Sequence, residues 1–250
     1  MKCRKQSIGA APLRRMLSLL PLLSLLGGVA ACTAPAAIAQ PTAMAAAGDL
    51  AQRTWELPGS FEALALMSAA TVRYTVVPAA SAQSHTLVQV QAPAALMDRI
   101  SISMEPPSDG LGPGPVLRIG AHGADIANRA VQIAITAPAP QSILLAGAGS
   151  LTLSGLASDT LQVQMPGAGH LTLAGRTRSL QVDANGAGTL DASQLIAASV
   201  HVRQRGAGTV AVQATGDVQV QSSGAGRTTV AGHPAQRQVE LTGSGSVVFP

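Results

Sequence analysis

Residues 161–174, LQVQMPGAGHLTLA, and residues 180–193, LQVDANGAGTLDAS, can be laid one over the other without a gap. In each, apolar and polar residues alternate, a Gly-Ala-Gly follows, and a second alternation begins. Leu161 and Val163 flank Gln162, and Leu171 and Leu173 flank Thr172. A period of two is the mark of a strand with one buried face. The Gly-x-Gly between the strands recurs at Gly147/Gly149, Gly167/Gly169, Gly186/Gly188, Gly206/Gly208, Gly224/Gly226 and Gly243/Gly245, at spacings of 20, 19, 20, 18 and 19 residues. A repeat near 19 residues without helical signals implies stacked units of the solenoid kind.

Aligning the repeats on their first glycine brings out columns. Four positions before it stand Ile143, Val163, Val182, Val202, Val220 and Val239, and six before it Leu161, Leu180, Val200 and Val218, with Gln141 and Arg237 breaking that column at its ends. Four after it stand Leu151, Leu171, Leu190, Val210 and Val247, with Thr228 as the exception. Six after it stand Leu153, Leu173, Ala192, Val212, Val230 and Phe249. The pattern predicts an all-β, single-stranded β-helix or β-solenoid. Each coil of about 19 residues holds a strand, a tight Gly-x-Gly corner, a second strand and a looser turn such as Ser154 to Thr160 or Gln213 to Asp217. Stacking at about 4.8 Å pairs each strand with its equivalent in the next coil and fuses the columns into one core, about 25 Å long over roughly five regular coils. The corner glycines are assigned to a bend that demands positive φ. Outside the core, Gln162, Gln181, Gln219 and Gln238, interrupted by His201, form a prospective amide ladder. Asp183 and Arg203 fall on adjacent coils in the next column, where they are expected to pair.

Upstream, strand-like runs at 61–67, 71–77, 86–90, 100–104, 116–119 and 131–135 have looser spacing, and 105–115 is a turn-rich loop. These runs are expected to open the same stack and cover its first edge, which would otherwise recruit other chains. The reading divides the chain into a leader at 1–31, an Ala/Pro-rich tether at 32–54 and a solenoid domain at 55–250, irregular over 55–140 and regular over 141–250.

The leader has a basic start and an apolar segment from Met16 to Val29, too short and too broken by Pro21, Gly27 and Gly28 to span a bilayer. Val29-Ala30-Ala31-Cys32 follows and resembles the lipobox of bacterial lipoproteins, in which the cysteine is diacylated and becomes the new N-terminus. The alternative is an ordinary secretory leader cut after Ala37-Ile38-Ala39, ahead of Gln40. Lipidation at Cys32 predicts an exported protein anchored to a membrane, and Thr33 in place of an acid resembles outer-membrane sorting in a Gram-negative envelope. With Cys3 in the leader, no disulfide is left to the mature chain.

Charge excludes one class of partner. The formal charge is +4, but Lys2, Arg4, Lys5, Arg14 and Arg15 all lie in the acid-free first 31 residues, and without those five cations the remainder carries −1. That remainder has no lysine and its arginines are scattered, so it offers no stripe that tracks phosphates, and no nucleic-acid partner is expected.

On the serial Gly-x-Gly followed by a strand, the closing Gly243-Ser244-Gly245-Ser246-Val247-Val248 and the opening Pro58-Gly59-Ser60-Phe61-Glu62-Ala63-Leu64, the chain resembles the head GIN domain family of putative auto-transporter adhesins. The likeness runs from about Trp55 to Pro250. Most corners here read Gly-Ala-Gly where Gly-Ser-Gly is the more familiar form, which removes a corner hydroxyl. The resemblance implies a β-helix-like fold and an exported, often lipid-anchored location, and it implies no established activity.

No enzyme site is expected. Gly-rich turns that cradle phosphate need a following helix and usually a lysine; here a strand follows each and lysine is absent. A polysaccharide-active β-helix needs carboxylates converging on neighbouring coils, about 5–10 Å apart. Asp159, Asp183, Asp191, Asp217 and Glu240 share no column on adjacent coils. His85, His122, His170, His201 and His233 lack ligand spacing, so no metal or cofactor is expected. Trp55, Tyr74, Phe61 and Phe249 are the only aromatics, which disfavours sugar stacking. The reading is a non-enzymatic, adhesin-like envelope module that meets an envelope polymer or protein partner. The alternatives are an envelope structural protein that self-associates through solenoid ends or edges, and a polysaccharide-active enzyme.

Overall fold

Ile143 pairs with Val163, Val163 with Val182, Val182 with Val202, Val202 with Val220 and Val220 with Val239, each step in a parallel ladder. The structure is a computed structural model that describes residues 50–78, 85–107, 110–121 and 131–250. The first five members of this column are at most 1% exposed, whereas Val239, in the last coil, is 41% exposed. The expected leader, Cys32 and the first part of the tether lie outside the described residues.

The upstream strands are β1 (Leu50–Pro58), β2 (Ala63–Leu66), β3 (Thr71–Val76), β4 (His85–Pro93), β5 (Ile100–Glu105), β6 (Val116–Ala121) and β7 (Gln132–Ala137), with one helical turn, α1 (Ala94–Met97), after β4. The regular coils follow as β8 (Ser142–Leu145), β9 (Ser150–Met165), β10 (His170–Ala184), β11 (Thr189–Gln204), β12 (Thr209–Ser222), β13 (Arg227–Ala231), β14 (Gln236–Leu241) and β15 (Ser246–Val248). All belong to one continuous β-solenoid.

The looser second turn is not a break in the sheet. β9, β10 and β11 each run from one corner to the next, and pairing continues through the bend as Gly175↔Leu156, Arg176↔Ala157 and Thr177↔Ser158. Like residues on neighbouring coils keep supplying hydrogen-bond partners there, so the chain turns without leaving the ladder. Varying repeat length is absorbed at the same place. Between Ala192↔Val212 and Ile196↔Gln213, β11 carries Ser193, Gln194 and Leu195 without counterparts, and the columns on either side stay in register.

The corner glycines are needed for a different reason from the one expected. Of the twelve, only Gly243 has a positive φ. What the others lack room for is a side chain. A Cβ on Gly169 would lie 2.7 Å from the carbonyl oxygen of Gly149, one on Gly188 2.6 Å from that of Gly169, and one on Gly226 2.6 Å from that of Gly208. Each corner sits on the corner before it, and the same carbonyls accept the ladder bonds His170 N to Gly149 O (2.8 Å), Thr189 N to Gly169 O (3.0 Å) and Arg227 N to Gly208 O (3.0 Å). Positive φ appears instead at the opposite bend, at Gly155, Gly175 and Gly232.

One column exception explains another. Thr228 interrupts the aliphatic column of Leu151, Leu171, Leu190 and Val210, and Gln204 is a fully buried amide. The Thr228 hydroxyl donates to Gln204 Oε1 at 2.6 Å, and Gln204 Nε2 donates to the Gly208 carbonyl at 2.6 Å. Each interior polar group is thereby satisfied by the other or by the corner, which removes the penalty of burying it alone.

The upstream strands do join the stack, but not in chain order. β2 lies between β6 and β8, and β3 between β7 and β9, all parallel. The strands β6 and β7 are therefore outside β2 and β3, which pack directly on the regular repeats. β4 then pairs antiparallel with β7, β1 antiparallel with β4, and β5 antiparallel with β6. The strand β1 takes over residues 50–54 of the expected tether, because pairing with β4 along its whole length stabilises a segment whose own apolar periodicity is weak. The core of this end holds Tyr74, which stands edge-on to Phe61 and whose hydroxyl donates to the Pro138 carbonyl; burial pushes its phenol well above the ordinary range.

Candidate functional site

The two outer faces of the solenoid are dressed differently. On the face built from the strands that precede the Gly-x-Gly corners, the sequence-predicted row Gln162, Gln181, His201, Gln219 and Gln238 stands in register. Upstream it does not continue as a polar row. The equivalent outward positions are Ser142, Ala63 and Val116, all buried. Leu111, from the turn-rich loop, closes over Ala63, Ala65, Val116 and Leu144 in a small apolar cluster separate from the main core. Beside the Gln row, Asp183 does neighbour Arg203, but the expected pair does not form. Arg203 Nε donates to Gln221 Oε1 (3.4 Å) and Gln221 Nε2 to Glu240 Oε2 (3.2 Å). The Arg203 guanidinium turns to the later coil, where an amide and a carboxylate together offer acceptors.

Among the described residues no loop or helix covers the other face. One outward row runs Gln52, Gln91, Gln132, Thr71, Ser150, His170, Thr189, Thr209, Arg227, Ser246, each residue paired directly with the next across ten consecutive strands. Two residues further along the strands, a second row runs Thr54, Gln89, Ala134, Arg73, Thr152, Thr172, Asp191, Ala211, Thr229, Val248. None of these twenty side chains is buried. Nine strand steps of about 4.8 Å make the face about 43 Å wide. It offers hydroxyls and amides that both donate and accept, with charged side chains at Arg73, Asp191 and Arg227 and an imidazole at His170. At the bulge in β11, the Asp191 carboxyl accepts from the Ser193 hydroxyl (2.6 Å) and backbone N–H (3.1 Å), and these bonds hold its pKa below the usual range.

The other sequence-flagged residues are dispersed. Asp159 ion-pairs with Arg178 across neighbouring coils at the bend (2.7 Å), where both are exposed. His170 lies on the bare face and His201 in the Gln row on the other. His122 lies outside the described residues. Among the described residues no three of His, Cys, Asp or Glu stand together as a metal site would need. A groove of about 620 Å³ at the bend, lined by Val76, Pro78, Pro138, Gly155 and Thr160, has Asp159 as its one acid. The ten-strand row escaped the sequence reading because its first four members precede the repeat and enter the sheet out of chain order.

Comparison with known proteins agrees with this architecture. The family model described as "Putative auto-transporter adhesin, head GIN domain" matches residues 73–234. The crystal structure of a putative adhesin from Bacteroides fragilis NCTC 9343 is similar at 19% identity, with a TM-score of 0.61, covering 80% of this chain and 97% of that one. That of a putative adhesin from Parabacteroides distasonis ATCC 8503 aligns at 14% identity and a TM-score of 0.43, covering 80% and 97% respectively. No curated protein matches the chain.

Proposed function

Because the chain belongs to the head GIN domain family of putative auto-transporter adhesins, we propose that it is a non-enzymatic binding module held at the cell envelope, and that its ten-strand polar face is the surface it presents. The observation that carries this reading is the contrast between faces: among the described residues one is partly covered by the Leu111 loop, and the other is uncovered from Gln52 to Ser246. A wide, nearly neutral array of hydroxyls and amides suits an extended partner that makes many weak hydrogen bonds at once, so that affinity comes from their number. The dispersal of Asp159, Asp183, Asp191, Asp217 and Glu240 supports a module that binds rather than hydrolyses.

The anchor in this reading is a diacylated Cys32. Two acyl chains give stable attachment where one would be marginal. Among the described residues no helix is long and apolar enough to cross a membrane. An outer-membrane or periplasmic location in a Gram-negative envelope follows from the lipobox-like Val29-Ala30-Ala31-Cys32 with Thr33 after it.

One experiment with two arms tests the proposal. The full chain, produced in a Gram-negative host, should fractionate with membranes, and Cys32→Ser should release it. In the second arm, purified variants are titrated with isolated cell envelopes. The pair Thr172→Arg and Thr209→Arg, on the bare face, should weaken capture by about tenfold or more. The pair Gln162→Arg and Gln219→Arg, on the opposite face, should leave it unchanged. Equal losses from both faces, or no capture by the parent protein, would remove the proposal.

A further inference from the structure

Among the described residues no element covers the last coil: β14 pairs only with β12 and β15 only with β13, so each leaves one backbone edge open. Val239, Leu241 and Val248 are 41%, 48% and 45% exposed there. An open edge backed by apolar side chains invites another chain to continue the sheet. The occupant that fits best is a second copy, because the same edge turned about a two-fold axis pairs with itself antiparallel.

Arg237 stands in the way. It pairs with Val218 at the end of the column Leu161, Leu180, Val200, Val218, whose members are at most 3% exposed. Where those coils place an aliphatic group, the last coil places a guanidinium. It lies over the Phe249 ring, 4.8 Å from the centroid, and so roofs the end of the apolar interior. Phe249, immediately after β15, packs against the core.

We propose that Arg237 guards this end, keeping the apolar C-terminal edge from docking against the same edge of a second copy. In a two-fold pairing centred on Val239, Arg237 faces the Leu241 of the other copy across the new ladder, since inward residues must oppose inward residues. Its charge would be sealed between Leu241 and Phe249. The nearest acid on the strand, Glu240, is on the outward side and accepts from Gln221 (3.2 Å) and Gln238 (3.5 Å), so it does not neutralise the charge. Cation–π contact with Phe249 holds the guanidinium in place while leaving its rim in water. This inference is independent of which partner the bare side face binds.

The test compares Arg237→Leu, Arg237→Gln and Arg237→Lys in the full chain with Cys3 and Cys32 changed to Ser, by sedimentation velocity over a range of concentrations. Far-UV circular dichroism checks folding, and the Gln variant serves where the Leu variant does not fold. Removing the charge in the Leu and Gln variants should tighten self-association at least about tenfold over the parent. Lys, which keeps the charge, should associate no more than the parent. Adding Val239→Cys to a charge-free variant should then give a disulfide-linked dimer. Leu and Gln variants no more associated than the parent, a Lys variant that associates as they do, or a dimer that Val239→Cys fails to trap would each overturn the proposal.

Discussion

Gly206→Ala should destabilise the protein by on the order of 3 kcal/mol, and Gly155→Ala by only about 1 kcal/mol, although it is Gly155 that has the left-handed backbone. A Cβ on Gly206 would fall 1.9 Å from the Gly186 carbonyl oxygen and 2.8 Å from its carbon. Both atoms belong to a corner that is itself stacked on Gly167, so no side chain can rotate away to make room. At Gly155 (φ +77°), the nearest atom to an added Cβ is the Val76 carbonyl oxygen at 4.0 Å, and the penalty is that of the backbone conformation alone. Urea midpoints at unchanged slope measure both. An equal or larger loss at Gly155 would mean that backbone conformation, rather than coil-on-coil contact, dictates where glycine occurs.

The second large effect contrasts two positions of one column. Val202→Asp should lose about 4 kcal/mol, because the carboxylate would be sealed between Val182 and Val220 with no cation in reach. Val239→Asp, the same substitution two coils on, should stay within about 0.5 kcal/mol, because that side chain is 41% exposed. The buried acid would have a folded pKa raised above its unfolded value, so the loss at Val202 should be full above that folded pKa. It should shrink as pH falls toward about 4, where the unfolded chain also binds the proton. Thermal or urea unfolding at two pH values reads both comparisons. Similar losses at the two positions would contradict a stack that ends at Val239.

The contrast also shows what could be read without coordinates. Columns such as Val163–Val182–Val202–Val220 were legible because parallel in-register stacking makes sequence spacing equal to spatial neighbourhood. That equality holds only while consecutive coils are consecutive in the stack. It fails upstream, where β3 lies between β7 and β9, and where the antiparallel strands β4 and β1 join the sheet. The corner glycines were legible as a pattern, while the cause was not: close approach of one corner to another is a tertiary fact, and positive φ is only the more familiar reason for glycine. The bare face was half legible. Ser150, His170, Thr189 and Thr209 share a repeat position, but Gln52, Gln91, Gln132 and Thr71 reach the row through pairings that no fixed period encodes. The Arg237 interruption was visible as a broken column, and its meaning came from Phe249 beneath it.

The ten-strand face exists only if β3 separates β7 from β9, and oxidative cross-linking asks that directly. In a background with Cys3 and Cys32 replaced by Ser, the pair Thr71→Cys and Ser150→Cys should form an intramolecular disulfide, since adjacent strands lie within the Cα separation of about 4.4–6.8 Å that a disulfide spans. The pair Gln132→Cys and Ser150→Cys, two strands apart at about 9.6 Å, should remain reduced under the same conditions. A disulfide between positions 132 and 150, with none between 71 and 150, would place the coils in chain order and dismantle the face.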